Sequence, residues 1–273
     1  GSTRGGQNHG FVITTAPISG SAAIQPTGVG IDVIGSAVDI EGNVIVSNTI
    51  GVRADSLGTS KLPNITNNLI VGNSTAGIDM TGRTREALGK IVNNTISFNQ
   101  SGILTRDDGL DPNGRIVANV QNNVITSNTL TGLSALVKSI PFVQHNDAWG
   151  NDGDRTNFGG GLFNIPKDTF PGITCTPTST VCGNISVNPL FIAPVDPRSV
   201  SDRADFLRLS NFELQSSSRL IDQALDIVSP PRDFKGRTRT VDVPGVGHET
   251  SPPQPPTPDS QPATIATTSA STK

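Results

Sequence analysis

Five segments of the chain superpose on a pair of asparagines five residues apart: EGNVIVSN (41–48), TNNLIVGN (66–73), VNNTISFN (92–99), QNNVITSN (121–128) and QHNDAWGN (144–151). The leading asparagines are Asn43, Asn68, Asn94, Asn123 and Asn146, so successive copies are offset by 25, 26, 29 and 23 residues. Two residues after each stand Ile45, Ile70, Ile96, Ile125 and Ala148, and three residues before each stand Ile40, Ile65, Ile91, Val120 and Val143. Past the second asparagine comes a Gly-aliphatic pair, Gly51-Val52, Gly77-Ile78, Gly102-Ile103 and Gly132-Leu133, with Gly30-Ile31 as the tail of an earlier copy.

A period in this range is the signature of a solenoid. Each copy offers short β-branched runs broken by Asn and Gly, and none offers a stretch of ten or more residues at helical spacing. Short strands joined by tight turns, each with an aliphatic column pointing inward, describe the coil of a parallel β-helix. Stacked at the separation of hydrogen-bonded strands, about 4.8 Å, five or six coils make a rod of roughly 25–30 Å. The asparagines are expected at the corners. Asn tolerates the left-handed conformation of a sharp turn, and its amide can bond to its counterpart one coil away. Glycine is expected to ease the next corner in the same way.

Composition agrees. Charged residues make up only 16 % of the 273, and the aromatic set is ten Phe, one Trp and no Tyr, so the core is aliphatic and the surface is not that of a helical protein. The net charge of -3 and the absence of a basic run argue against a nucleic-acid partner. No apolar run is long enough to span a bilayer, and the opening residues carry no signal-peptide pattern. The first recognisable copy begins mid-pattern, as expected of a piece of a longer protein. Cys175 and Cys182 flank a Pro/Thr-rich segment at a spacing suited to a small disulfide loop, and hence to an oxidising compartment.

The N-x-I-x-x-N…G-I pattern resembles the repeat of the right-handed β-helix family, which includes pectate lyases, polygalacturonases and alginate epimerases. The later stretches NPLF (188–191), LRLSNFELQSSSRLIDQA (207–224), PPRDFKGRTR (230–239) and DVPGVGHE (242–249) are similar to the closing segment of secreted bacterial β-helix repeat proteins. Ala224 stands where that group has Gly, and Val243-Pro244 interrupts the last motif. The resemblance implies an all-β fold, a right-handed parallel β-helix forming a single-stranded solenoid with a C-terminal capping segment. It also implies a bacterial extracellular, cell-surface or periplasmic location. The expected organisation is a leader or partial coil over 1–20, coils over 21–165, a loop-rich cap over 166–250 and a Pro/Thr/Ser-rich tail over 251–273. Phe191, Phe206, Leu209, Phe212, Leu214, Leu220 and Ile221 are the apolar residues available to the cap, which an open solenoid end needs.

Three polar groups are candidate sites. In RDDGLDPNG, Asp107 and Asp108 with Arg115 are candidate catalytic residues. Carboxylates beside a cation suit acid–base work on a uronate, and Asp111 is a candidate Ca²⁺ ligand, although an acidic Gly/Pro-rich loop is also ordinary turn chemistry. In QHNDAWGNDGDR, Asp152 and Asp154 are candidate metal ligands and Trp149 a candidate stacking platform for a sugar, while His145 occupies a corner position. Arg53, Asp55, Asp79, Arg83 and Arg85 follow Gly-aliphatic pairs in successive copies, so they are expected to share one face and form a polar groove for a chain-like ligand. The polygalacturonase partners of an Asp doublet, Gly-His-Gly and Arg-x-Lys, are missing, as is the epimerase Asp-Pro-His. Two functions follow as expectations: a secreted or surface module that is structural or contacts a polysaccharide or cell-envelope glycan, or a lyase or glycoside hydrolase acting on an acidic polysaccharide. Neither requires a cofactor, and Ca²⁺ is the one candidate ion.

Overall fold

In the computed structural model the described residues are 12–13, 28–57, 59–83, 86–107, 116–136, 139, 141–151, 168–200, 202–221, 223–224 and 231. The proline-rich tail lies outside them, as do Asp108, Asp111, Arg115, Arg85, Asp152 and Asp154.

The chain winds through three parallel sheets in turn. Sheet A stacks β3 (Asp39–Glu41), β6 (Lys61–Thr66), β9 (Ala87–Val92), β12 (Ile116–Gln121), β15 (Phe142–Gln144) and β17 (Val181–Cys182). Sheet B stacks β1 (Val12–Ile13), β4 (Val44–Val46), β7 (Leu69–Val71), β10 (Thr95–Ser97), β13 (Val124–Thr126) and β16 (Asp147–Trp149). Sheet C stacks β2 (Val29–Ile34), β5 (Ile50–Asp55), β8 (Ala76–Gly82), β11 (Ser101–Asp107) and β14 (Thr131–Leu136). Among the described residues this makes four complete coils, β3 to β14, with partial coils before and after. The protein is an all-β parallel β-helix. Among the same residues no helix is long and apolar enough to cross a membrane.

The core is the set of inward columns that the repeat marks. Ile96 pairs in register with Ile70 and Ile125, Val120 with Ile91 and Val143, and Ile103 with Ile78 and Leu133, all fully buried. Because the strand period is two, the same register that buries these residues fixes which side chains face outward.

The corner asparagines form two ladders. In the first, the backbone N–H and Nδ2 of each Asn both donate to Oδ1 of the next, at 2.9–3.0 Å, through Asn43, Asn68, Asn94, Asn123, Asn146 and Asn184. Nδ2 of Asn94 also donates to the carbonyl of Ile65 at 2.8 Å, binding a third coil position. The second ladder runs through Asn48, Asn73, Asn99, Asn128 and Asn151 in the same manner. Both ladders are buried.

Two details differ from the sequence expectation. The left-handed residue at each corner is the one before the ladder asparagine: Gly42, Asn67, Asn93, Asn122, His145 and Gly183 at the first corner, and Ser47, Gly72, Phe98, Ser127 and Gly150 at the second. The ladder asparagine has to aim both its amide and its own N–H at the next coil, so the neighbour takes the turn. The Gly-aliphatic glycines are needed for room rather than for conformation. A Cβ on Gly77 would stand 2.8 Å from the Gly102 carbonyl oxygen and 3.0 Å from Nδ2 of Asn99.

Strand structure also extends into the charged stretch TGRTREALGK (81–90) from both ends. Thr81 and Gly82 finish β8 and Ala87–Lys90 open β9, with Ala87 buried and Leu88 exposed in strand alternation. Gly89 makes room inside the coil, since a Cβ there would meet the Met80 sulfur at 3.1 Å.

The C-terminal segment covers apolar surface, as a cap should, and the surface it covers is the outer face of sheet B. Here α1 (Arg203–Leu209) buries Phe206 among Val46, Leu69 and Val71, with Val44, Phe98, Val195, Val200 and Phe212 around them. The helix starts on Asp202, whose carboxylate accepts the Asp205 N–H at 2.8 Å. Strands β18 (Phe191–Ala193) and β19 (Asn211–Leu214) pair antiparallel beside it. The last rung is closed by the stretch before the disulfide, where the Ile173 and Thr169 carbonyls accept the N–H groups of Gly183 (2.6 Å) and Ser186 (2.9 Å). Cys175 and Cys182 are joined, with Cα atoms 5.0 Å apart, closing the loop that precedes that rung.

Removing one rung tests the ladder. Asn99→Ala strips the Asn73 N–H and Nδ2 of their acceptor. It should cost at least about 2 kcal/mol in urea unfolding, since each buried unsatisfied donor costs roughly 1–3 kcal/mol. Asn64→Ala, which removes an exposed bond to Asp39, should change stability by less than about 0.5 kcal/mol.

Candidate functional site

The outward columns of sheet C carry the charged residues. Strand register stacks Asp32, Arg53 and Asp79 in one column and Asp55, Thr81 and Arg106 in the next. Arg53 Nε donates to Asp32 Oδ1 at 2.9 Å, Arg83 Nε contacts both Asp55 oxygens at 2.7 Å, and the Arg106 guanidinium pairs with Asp79 Oδ2 while its Nε reaches Thr81 Oγ1 at 3.3 Å. Four of the five residues expected to share this face do so, namely Arg53, Asp55, Asp79 and Arg83; Arg85 lies outside the described residues. Arg106 joins them. The sequence reading grouped it with the acidic loop that follows, yet its place four residues after Gly102 is that of Asp55 and Thr81 after their own glycines.

The electrostatics of this face are uneven. The Arg53 guanidinium holds the Asp32 carboxyl below its ordinary value, and Asp32 in turn raises Arg53. Asp79 goes the other way. Its side chain is 3 % exposed against 43 % for its partner Arg106. Burial pushes its carboxyl upward, the nearby Asp55 charge adds to that, and the Arg106 and Arg53 charges oppose it. Asp79 Oδ2 takes the ion pair while Oδ1 is buried with no hydrogen-bond partner.

The other candidates are dispersed. Asp107 ends β11 opposite Gly82 and is buried, on the inward side of the strand alternation that faces Arg106 outward. Trp149 ends β16, on sheet B rather than sheet C, and is half-buried. His145 is a left-handed corner residue whose ring lies against Gly183, with Nε2 3.4 Å from Cys175 Sγ. Asp108, Arg115, Asp111, Asp152 and Asp154 fall outside the described residues, among which no group of three or more His, Cys, Asp or Glu is placed to hold a metal.

A further acidic residue of the QHNDAWGNDGDR stretch stands out, one that the sequence reading placed beside His145, Asp152 and Asp154. Asp147 opens β16 at the position held by Val44, Leu69, Thr95 and Val124 in earlier coils. Its Oδ1 accepts the Val187 N–H at 2.9 Å, and Oδ2 is buried without a partner. Burial pushes this carboxyl up to about 8, against the lowering effect of the Val187 bond. The signal was available: a carboxylate in a column otherwise apolar or Thr.

No family model matches the chain, and neither a curated protein nor a solved structure matches it.

The Asp147 carboxyl makes stability depend on pH. Its native value of about 8 lies above the ordinary 3.8, so between those limits the folded state keeps a proton that the unfolded chain has lost. Stability contributed by this group is therefore complete below the lower limit and lost as pH rises through the upper one. Asp147→Asn keeps an acceptor for Val187 and removes the titration. Its melting temperature should exceed that of wild type by a margin that grows from acid to mildly alkaline pH, read by circular dichroism melts.

Proposed function

We propose that this chain is a secreted or cell-surface β-helix module that contacts an acidic polysaccharide along the outer face of sheet C. The observation that carries this reading is the set of guanidinium groups of Arg53, Arg83 and Arg106 on one face, their side chains 45 %, 32 % and 43 % exposed. Adjacent coils repeat at about 4.8 Å, so the face offers charged groups at regular intervals to an extended ligand. The guanidinium groups of Arg53 and Arg106 each have five N–H donors, and the bonds to Asp32, and to Asp79 and Thr81, leave others for a uronate or sulfate group. The Asp partners hold the arginines in place beforehand, which lowers the entropic cost of binding. The disulfide supports an oxidising compartment and thus an exported protein. The resemblance of the repeat and closing segment to secreted bacterial β-helix proteins points the same way.

A second reading, a lyase or hydrolase on the same kind of polymer, is favoured by Asp79. A carboxyl raised by burial, with one oxygen lacking a partner, the charges of Arg106 and Arg53 acting on it and a second carboxylate at Asp55, has the makings of an acid–base group beside a uronate. Asp107, with Asp108 and Arg115 after it, belongs to this reading as further residues to test.

Binding to polygalacturonate, alginate and a sulfated glycosaminoglycan, followed by calorimetry at low and high salt, tests the first reading. Arg53→Ala/Arg106→Ala should weaken the best polymer by roughly tenfold or more, because two charge-assisted contacts are lost. Unchanged binding by that variant, or no binding to any acidic polymer, sinks it. Product formation from the same polymers, abolished in Asp79→Asn with binding retained, would select the enzyme reading; no product from any of them would discard it.

A further inference from the structure

The C-terminal segment does not seal sheet B completely. Between the two lies a cavity of ≈ 190 Å³, with Asn93, Thr95 and Asp147 on the coil side and Phe191, Phe212 and Leu214 on the other. Asn93 is a left-handed corner residue, φ 57°, next to ladder residue Asn94, so its amide is not part of the ladder. Both ends of that amide are buried and have no hydrogen-bond partner, and the same is true of Asp147 Oδ2. Thr95, Val124 and Asp147 occupy successive rungs of one column. The amide and the carboxyl therefore sit about two rungs, or roughly 10 Å, apart along the rod.

Buried polar atoms are almost always paired, and three unpaired ones on two residues that line one cavity mark a place where partners are supplied from outside. The cavity, at ≈ 190 Å³, is enough for one ring. Its chemistry is specific. Asn93 offers a donor and an acceptor at one end, the carboxyl answers at the other, and the phenyl rings of Phe191 and Phe212, in edge contact at 5.3 Å, supply an apolar flank. Hydroxyl groups both donate and accept, and the C–H face of a sugar ring packs on aromatic carbon. Taking a hydrogen bond of about 2.8 Å from each end of the 10 Å span leaves about 4–5 Å, the width of a single ring. An anionic ring would carry its charge into a place where burial already holds Asp147 uncharged and where no Arg or Lys among the described residues lines the cavity, and a wholly apolar one would leave all three polar atoms unpaired.

We propose that this cavity binds one uncharged hexopyranose unit, with hydroxyls bridging Asn93 and Asp147 and its C–H face against Phe212. This site is on sheet B and goes beyond the sheet C reading, so the two stand or fall separately.

The full chain is titrated with methyl glycosides of glucose, galactose and mannose, and with galacturonate as charged control, by saturation-transfer NMR and calorimetry. At least one neutral glycoside should bind, about tenfold or more tightly than galacturonate. Asn93→Gly, which keeps the left-handed corner, and Asp147→Ala should each weaken it by about tenfold, while Arg53→Ala/Arg106→Ala leaves it unchanged. Melting curves verify that the coils of both variants are intact. Disaccharides of the binding sugar separate two sources, a glycan chain end if they bind as well and a free sugar if they do not. The proposal is overturned if no neutral glycoside binds, if galacturonate binds equally well, or if folded Asn93→Gly binds like wild type.

Discussion

Each corner asparagine holds two coils together through a single oxygen. Oδ1 of one rung accepts both the backbone N–H and the side-chain amide of the rung before it, and the amide of the same residue reaches a main-chain carbonyl of the coil behind. A tight turn in a buried corner would otherwise strand its backbone polar groups. The ladder satisfies them and sets the pitch at the same time. The isoleucine columns, the glycine column pressed against the second ladder and the outward columns of sheet C all depend on that pitch being constant. Coils of different length stay in register because most of the variation falls in the connections from sheet C back to sheet A, and the connections from sheet B to sheet C differ by one residue.

With register fixed, the three sheets differ only in what their outer faces carry. Sheet B presents Val46, Leu69 and Val71, which need cover and receive it from Phe206 and its neighbours. Sheet C presents Arg and Asp in adjacent columns, which pair across coils and leave the arginines open to solvent. Two buried carboxyls behave alike for the same reason: Asp79 is covered beside Arg106 and Asp147 lies under the C-terminal segment, and in each one oxygen is committed while the other is not.

Most of the coil was legible in the sequence because its information is one-dimensional. Spacing alone identifies the inward columns Ile45 to Ile125 and Ile40 to Val120, and the face shared by Arg53, Asp55 and Asp79. Legibility failed where a third dimension enters. The sixth rung, Asn184, follows Asn146 after 38 residues, so the intervening loop concealed it, although Val181 stands three residues before it as in every other copy. The left-handed positions were misplaced by one residue, because Asn is common at both places and only the hydrogen bonds separate them. That the C-terminal aromatics cover a flank of the rod cannot be read from their spacing, since their partners are a hundred or more residues earlier. The environment of Asp147 depends on the same packing.

The ladders also bear on where such a chain can be made. Asn73-Ser74-Thr75, Asn99-Gln100-Ser101 and Asn184-Ile185-Ser186 have the form of acceptors for N-linked glycans, and all three asparagines are buried rungs. A host that attaches glycans during synthesis meets these sites before any coil has closed. A sugar placed there would occupy the nitrogen that donates to the next rung from Asn73 and Asn99 and to the Val143 carbonyl from Asn184, and its bulk has no place in the corner. The feature that locks the folded rod thus makes the nascent chain vulnerable to modification in a glycosylating secretory pathway. Production in a host without that machinery, or Ser and Thr replacements at the third sequon position, avoids the conflict.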